Sequence, residues 1–339
     1  MALIPRGLLL PAPYRGRTLR WLMDKVPGIR AWRLWSEEMR RRFVAAQGRR
    51  MLASGRQEGR RYLTTIPNHL CGIGHSSTEW NTAYQWAPRL GLEFVNTPMR
   101  EPWASFLGFG AAARTWADVM RTERPVIVRL PYIDWGPGRD SCASLQSVVD
   151  AIHSPRNLLF VLADGQNCYD HTANASQQRS DFQAHGHWQH LPDHRESGRL
   201  NVAVHIRRGD IVAMKSRGQG NWQQRFVEAD WFARVMLHVL EEHRDQRPLF
   251  HLYSQGRPEE FVDLARDFDL RLHLDAGEQE CLLNMSRADI VIMSPSGFSY
   301  LAAILSEGSK IARVPWWHHL PRGADWTLLP NEPGLPPGT

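Results

Sequence analysis

Mostly apolar short runs recur through the second half of the chain, at residues 201–206, 249–253, 270–274, 290–293 and 310–314. Their length and branched residues predict strands covered on both faces. Amphipathic stretches fill the intervals. Over 230–243, Phe232, Val235, Met236, Val239 and Leu240 fall on one helical face, and further helices are expected over 258–267, 278–287 and 298–306. Strands alternating with helices in this way predict a parallel sheet with helices on both sides.

The first half follows a less regular version of the same pattern. A helix is expected over 77–90, with strands at 92–95, 126–130 and 158–162. Residues 166–199 are polar and rich in His, Gln and Asp, so they read as a long loop or a helix joining two halves. The expected organisation is a basic arm at 1–60, an N-terminal Rossmann-like domain at 61–195 and a C-terminal one at 196–330, without internal repeats. The last residues, 330–339, are rich in Pro and Gly and read as a loose tail. Ligands of open parallel sheets bind at the carboxyl ends of the strands, so a cleft between two such halves is the expected binding place.

Charge changes this picture at one end. Residues 1–61 hold 15 Lys/Arg against 4 Asp/Glu, a net of +11, and the chain's +6 therefore leaves −5 for the rest. Trp21, Leu22, Val26, Ile29, Trp32 and Trp35 interleave with the arginines of this arm. Two readings stand side by side: peripheral contact with anionic lipid at the inner face of a membrane, or a basic extension packed on the body. Nucleic acid is not an expected partner, because no binding motif accompanies the charge. No apolar run approaches the ~18 residues that a membrane-crossing helix needs. Residues 1–13 are too weak for a secretory signal, so a cytoplasmic location is expected. Cys71, Cys142, Cys168 and Cys281 form no C-x-x-C pair and suggest neither zinc nor a disulfide framework. Histidines at 185, 187, 190 and 194 have a spacing that allows a metal, but no carboxylate or cysteine partner is evident, and no metal site is expected.

Candidate chemistry gathers in two places. The first is His205-Ile-Arg-Arg-Gly-Asp210, where the strand at 201–206 opens into a loop. Adjacent guanidiniums at a strand end suit an anion, since arginine's planar fork matches phosphate oxygens in pairs. Gly209 would let backbone approach a ligand. A simple salt bridge between Asp210 and an arginine is the competing reading. The second is Ser294-Pro-Ser-Gly-Phe-Ser299, between a strand and an apolar helix. Serine caps a helix N-terminus well, and that terminus offers free N–H groups to phosphate. Ser294, Ser296 and Ser299 add hydroxyls, and ordinary capping is the competing reading. Both loops belong to the same edge of a parallel sheet.

These paired motifs, about 90 residues apart, resemble the GDP-fucose-dependent fucosyltransferase superfamily. It includes the α1,2-, α1,6- and protein O-fucosyltransferases and the rhizobial nodulation fucosyltransferase. The resemblance covers about residues 200–315 and is patchy before that. It implies a GT-B-like α/β fold of two Rossmann-like domains with a cleft between them. The nucleotide sugar GDP-fucose would be the donor, bound in the C-terminal domain, and a glycan the acceptor. A cofactor is not implied. By position, Arg207 would grip the donor's diphosphate, Arg208 would support it, and His205 would lie beside the nucleotide. Ser294, Ser296, Gly297, Phe298 and Ser299 would form the loop over the β-phosphate and ribose. An acidic residue would read the guanine edge, with Glu280 the nearest match and Glu278 a competitor. The glycine-rich segment Asn68-His-Leu-Cys-Gly-Ile-Gly-His75 resembles the loop that opens the first domain, with Gly72, Gly74 and His75 facing the cleft.

The implied protein is a bacterial-type enzyme, and its reaction is inverting and metal-independent transfer of fucose from GDP-fucose to a glycan. Its transition state is oxocarbenium-like, and negative charge grows on the departing phosphate. Asp210, Glu79 and His75 are the candidates for the general base, and Asp210 could equally orient its neighbouring arginines. Other nucleotide sugars on the same fold, and a non-catalytic sugar-nucleotide or glycan-binding protein, are the alternatives.

Overall fold

The computed structural model describes residues 58–68, 71–130, 141–162, 171–218, 220, 222–316 and 320–330. The basic arm lies outside these residues except for its last three positions, as do Cys168, residues 317–319 and the C-terminal tail beyond Pro330. Among the described residues no helix is long and apolar enough to cross a membrane. The chain forms two α/β units, each around a wholly parallel sheet.

The first unit is built from parts of residues 1–68, 78–98 and 112–168. Its strands are β1 (Arg61–Thr65), β2 (Glu93–Phe94), β3 (Val126–Arg129) and β4 (Leu158–Leu162), in the order β2-β1-β4-β3. Successive residues of β1 and β4 feed opposite cores. Leu63, Leu158 and Phe160 pack with Ala83, Trp86 and Ala87 of helix α1 (Ile73–Arg89) and with Leu90 just after it. Tyr62 and Leu159 pack with Val95 and Val119 on the other side. Alternate side chains of a strand point to opposite faces, so a strand covered on both faces must be apolar throughout.

Helix α1 begins earlier than the sequence suggests. Ser77, at the expected start, instead lies inside the first turns, and its hydroxyl donates to the carbonyl of Gly74 at 3.0 Å. Gly74 and His75 are therefore helical, not loop, residues. Glycine is a poor helix former, so a tertiary contact must hold this turn.

The short helices α2 (Trp103–Leu107), α3 (Trp116–Thr122) and α4 (Ser141–Val149) complete the first half of the sequence. The division between units does not follow the linear reading. The second unit takes His69–Ser77 and Met99–Ala111 as well as the chain from Tyr169 onward, whereas a boundary near 195 was expected. The reason is α5 (Ala175–His185), which occupies the stretch read as loop or helix. Arg179 on α5 donates to the carbonyl of Ile304 at 3.0 Å, and Phe182 packs on Phe106 with ring centroids 5.4 Å apart.

Six strands form the second sheet: β5 (Asn201–His205), β6 (Leu249–Ser254), β7 (Leu270–Leu274), β8 (Ile290–Met293), β9 (Ser309–Arg313) and β10 (Trp326–Leu329). Their order is β10-β9-β8-β5-β6-β7. The helices are α6 (Asp210–Ser216), α7 (Trp222–Arg225), α8 (Ala229–Glu242), α9 (Val262–Asp267), α10 (Glu278–Ser286) and α11 (Gly297–Leu305). One face of the sheet packs Val202, Val204, Phe250, Leu252, Ile290, Ile292 and Ile311 against Trp231, Phe232, Val235, Met236 and Val239 of α8. Helices α10 and α11 pack on each other and against β5 and β8. The order has a consequence for binding. The chain winds outward from β5 through β6 to β7, then returns to β8 on the other side of β5 and winds the opposite way. The gap between the carboxyl ends of β5 and β8 is thus the topological switch point, where open parallel sheets bind ligands.

Candidate functional site

Both motif loops leave the sheet at this switch point. Ser294, the first residue after β8, ties them together. Its hydroxyl accepts the backbone N–H of Arg207 at 2.8 Å and donates to the carbonyl of His205 at 2.7 Å. Its own N–H donates to the same carbonyl at 3.1 Å. On the far side of β5, the Ser254 hydroxyl donates to the Ile206 carbonyl at 2.7 Å. Such bonds fix the loop backbone before any ligand arrives.

Gly209 makes the sharp exit from β5 possible. Its φ is 60°, in the left-handed region, and a Cβ there would run into the Gln255 side chain. Glycine alone meets both requirements. The two arginines then part. The Arg208 side chain turns inward, donates to the carbonyls of Arg207 (3.0 Å) and Val227 (3.1 Å), and lies 4.5 Å from the Phe226 ring centre. It is buried and braces the loop. Arg207 stays half-buried at the sheet edge and pairs with Asp210 at 2.7 Å. The salt bridge weighed from sequence is therefore present, and the Asp210 side chain is 62% exposed. Exposed pairs of this kind contribute only about 0–1 kcal/mol and exchange partners readily.

The serine loop caps α11. The Ser296 hydroxyl accepts the N–H of Phe298 at 3.3 Å, and Ser299 donates to the carbonyls of Ser294 (2.8 Å) and Ser296 (3.2 Å). Gly297 opens the helix directly against the start of α1. A Cβ on Gly74 would lie 2.6 Å from the nitrogen of Phe298 and closer still to the carbonyl group of Gly297. Two helix N-termini thus meet backbone to backbone at Gly74 and Gly297. Each carries roughly half a positive charge from its peptide dipoles. This packing is also what holds Gly74 in helical conformation. By contrast, a Cβ on Gly72 would meet nothing within 4 Å. Gly72, Gly74 and His75 were read from the sequence as part of the N-terminal domain, but they pack with the second unit.

His205 ends β5 beneath Phe298, with ring centroids 5.7 Å apart, and its Nδ1 is buried without a hydrogen-bond partner. Burial, reinforced by the nearby Arg207 cation, pushes its pKa down to about 3. The imidazole is therefore neutral at physiological pH and keeps a free nitrogen for a polar partner. A depressed pKa gives stability that is present above the unfolded value near 6.5 and lost as pH falls toward the folded one. Between pH 7 and pH 5 the wild type should lose about 2 kcal/mol through this group. Urea titrations of wild type and His205→Asn at both pH values check it: the variant should show a correspondingly smaller loss, and equal losses would contradict a buried neutral imidazole.

The remaining predicted residues lie apart. Glu79 belongs to the first unit, is buried on α1, and accepts the N–H of Asn68 at 2.6 Å. Glu280, in the first turn of α10, pairs with Nε2 of His194 at 2.9 Å. His194 in turn stacks on His273 at 4.1 Å, and Tyr253 stacks on the same ring at 4.8 Å. Glu280 is thus engaged by an imidazole, while Glu278 is exposed. Asn284 is buried and bonded to His194, Pro192 and Glu280. Among the described residues no three His, Cys, Asp or Glu side chains gather as a metal site.

Two residues of the same edge were missed by the sequence reading. Asp275 follows β7 with a φ of 51°, and Arg313 ends β9. The signal that exposed Arg207, a polar residue directly after a buried strand, applies to Asp275, whereas Arg313 falls inside the strand expected at 310–314.

The chain is similar in fold to solved fucosyltransferases. POFUT1 in complex with GDP aligns with 76% of this chain and 98% of its own, at 9% identity and a TM-score of 0.42. POFUT1 in complex with GDP-fucose aligns with 75% and 97%, at 10% identity and a TM-score of 0.40. The fucosyltransferase NodZ from Bradyrhizobium aligns with 74% and 93%, at 13% identity and a TM-score of 0.39. No family model and no curated protein matches the sequence.

Proposed function

We propose that the protein is an inverting glycosyltransferase that moves fucose from GDP-fucose to a hydroxyl of a glycan acceptor. One observation carries the reading. At the switch point of the second sheet, the Arg207 loop is tied to the Ser294 loop, and the N-termini of α1 and α11 abut there through Gly74 and Gly297. Positive charge from one guanidinium and two helix ends converges where a diphosphate would sit.

The acceptor oxygen forms a bond to the anomeric carbon as the bond from that carbon to the β-phosphate oxygen breaks. The bonding pair leaves with GDP, and the acceptor proton passes to a base. Charge on the leaving diphosphate is greatest in the transition state, so groups fixed beforehand around it lower the barrier. Arg207 is the mobile contact, since its Asp210 partner is exposed and replaceable. His205 and Phe298 would line the nucleoside side, and Arg208 holds the loop. Asp210, one i,i+3 step from Arg207, is placed to orient the guanidinium. The acidic residue that reads the base is Glu280, once His194 releases it.

A panel of nucleotide sugars offered with glycan acceptors, read by release of nucleoside diphosphate, tests the reading. GDP release from GDP-fucose with formation of a fucosylated product is expected. Preference for another donor would move the protein to a different glycosyltransferase class. Tight GDP binding without transfer to any acceptor would favour a binding protein.

A further inference from the structure

Arg313 ends β9 with more than nine-tenths of its surface covered, and its Nε and Nη1 atoms are buried without a hydrogen-bond partner. Burial alone acts on its charge, and no carboxylate offsets it. Arg208, similarly buried, donates to two carbonyls, and Lys310 on the same strand pairs with Asp325 at 2.8 Å. A buried cation left unpaired is costly, and the cost is offset only when an anion meets it.

Strand register shows where that anion would be. Met293 pairs with Ala312, so the next residues, Ser294 and Arg313, lie side by side. Val204 pairs with Ile292, which sets the Arg207 loop on the other side of Ser294. Neighbouring strands are roughly 4.8 Å apart, so the backbones of Arg207 and Arg313 flank the end of β8 at about twice that spacing. Arg313 shares its face with Ile311, which packs with Ile290 and Ile292 on the α8 side.

We propose that Arg313 is the second guanidinium of the diphosphate site, gripping from the β9 side the group that Arg207 grips from the β5 side. The inference rests on reading the loop edge as a nucleoside diphosphate site. It assigns a binding residue outside both motif loops.

The test measures binding of GDP and of guanosine to the full chain, by competition with a fluorescent GDP analogue. Arg313→Met should weaken GDP binding roughly ten- to a hundred-fold, the loss expected for a charge-assisted contact, and leave guanosine binding unchanged. The ligand-free variant should melt a few degrees higher than wild type, because an unpaired buried charge has gone. Arg313→Lys, which keeps the charge without the fork, should fall between, and it gives the same readout if the methionine variant does not fold. Unchanged GDP affinity, or equal weakening for GDP and guanosine, would overturn the proposal. Loss of GDP binding in Arg207→Ala but not in Arg313→Met sinks this inference alone. Wild type that binds no GDP sinks the diphosphate reading beneath it.

Discussion

Arg207→Ala is expected to lower turnover of GDP-fucose by roughly 10²–10³-fold, the loss typical of removing one donor that meets charge developing in a transition state. The side chain is half-buried at the switch point, and its present partner Asp210 is mostly exposed. Exchanging that weak pair for a diphosphate therefore costs little. The fold should be unaffected, because the contact joining the two loops is made by the Arg207 backbone N–H to Ser294 and survives the substitution. A melting temperature close to wild type, together with the kinetic loss, is the expected pattern. Arg207→Lys should recover only part of it, since an ammonium cannot make the paired contact. Asp210→Asn offers a comparison within the same ion pair. If Asp210 orients Arg207, the variant loses about tenfold or less and keeps the acidic limb of its pH–rate profile. Disappearance of that limb would make Asp210 the base instead. Undiminished turnover in Arg207→Ala would remove this residue from the site.

Much of the second unit was legible because its central strands β5, β6 and β8 are buried on both faces and so are mostly apolar. The strand expected at 249–253 is Leu249–Ser254, and the helix expected at 298–306 is Gly297–Leu305. Arg207 was legible for a local reason: polar residues directly after a buried strand fall on the sheet edge. What escaped depends on contacts distant in sequence. The start of α1 was misplaced because Gly74 argues against helix locally, and only its contact with Gly297 favours it. The same contact draws 69–77 into the second unit. Adjacent arginines look equivalent in sequence, yet Phe226 and the Val227 carbonyl capture Arg208 and leave Arg207 at the sheet edge, paired with Asp210. Arg313 was hidden inside an ordinary strand pattern, because a buried cation and its missing partner are visible only once the neighbours are in place.

Gly74→Ala should be strongly damaging, and helix propensity predicts the opposite. Alanine in place of a helical glycine ordinarily stabilises by up to about 1 kcal/mol. Here the added Cβ would lie 2.6 Å from the nitrogen of Phe298 and closer to the Gly297 carbonyl group. Both obstacles are backbone, which cannot swing aside as a flexible side chain would. The N-termini of α1 and α11 must separate, and overpacking of this kind costs about 1–3 kcal/mol or more. Separation also moves the Ser296–Ser299 turn, whose hydroxyl bonds are set by the start of α11. Turnover should therefore fall further than stability, because a displacement of about 1 Å in a positioning element can cost 10²-fold. Gly72→Ala supplies the control two residues away, where the new methyl meets open space, and it should stay within about 0.5 kcal/mol of wild type. Urea midpoints and GDP-release rates of the two variants decide the matter. If they behave alike, the glycine–glycine contact does not hold the two helix ends together, and the convergence of positive charge at the switch point loses its structural basis.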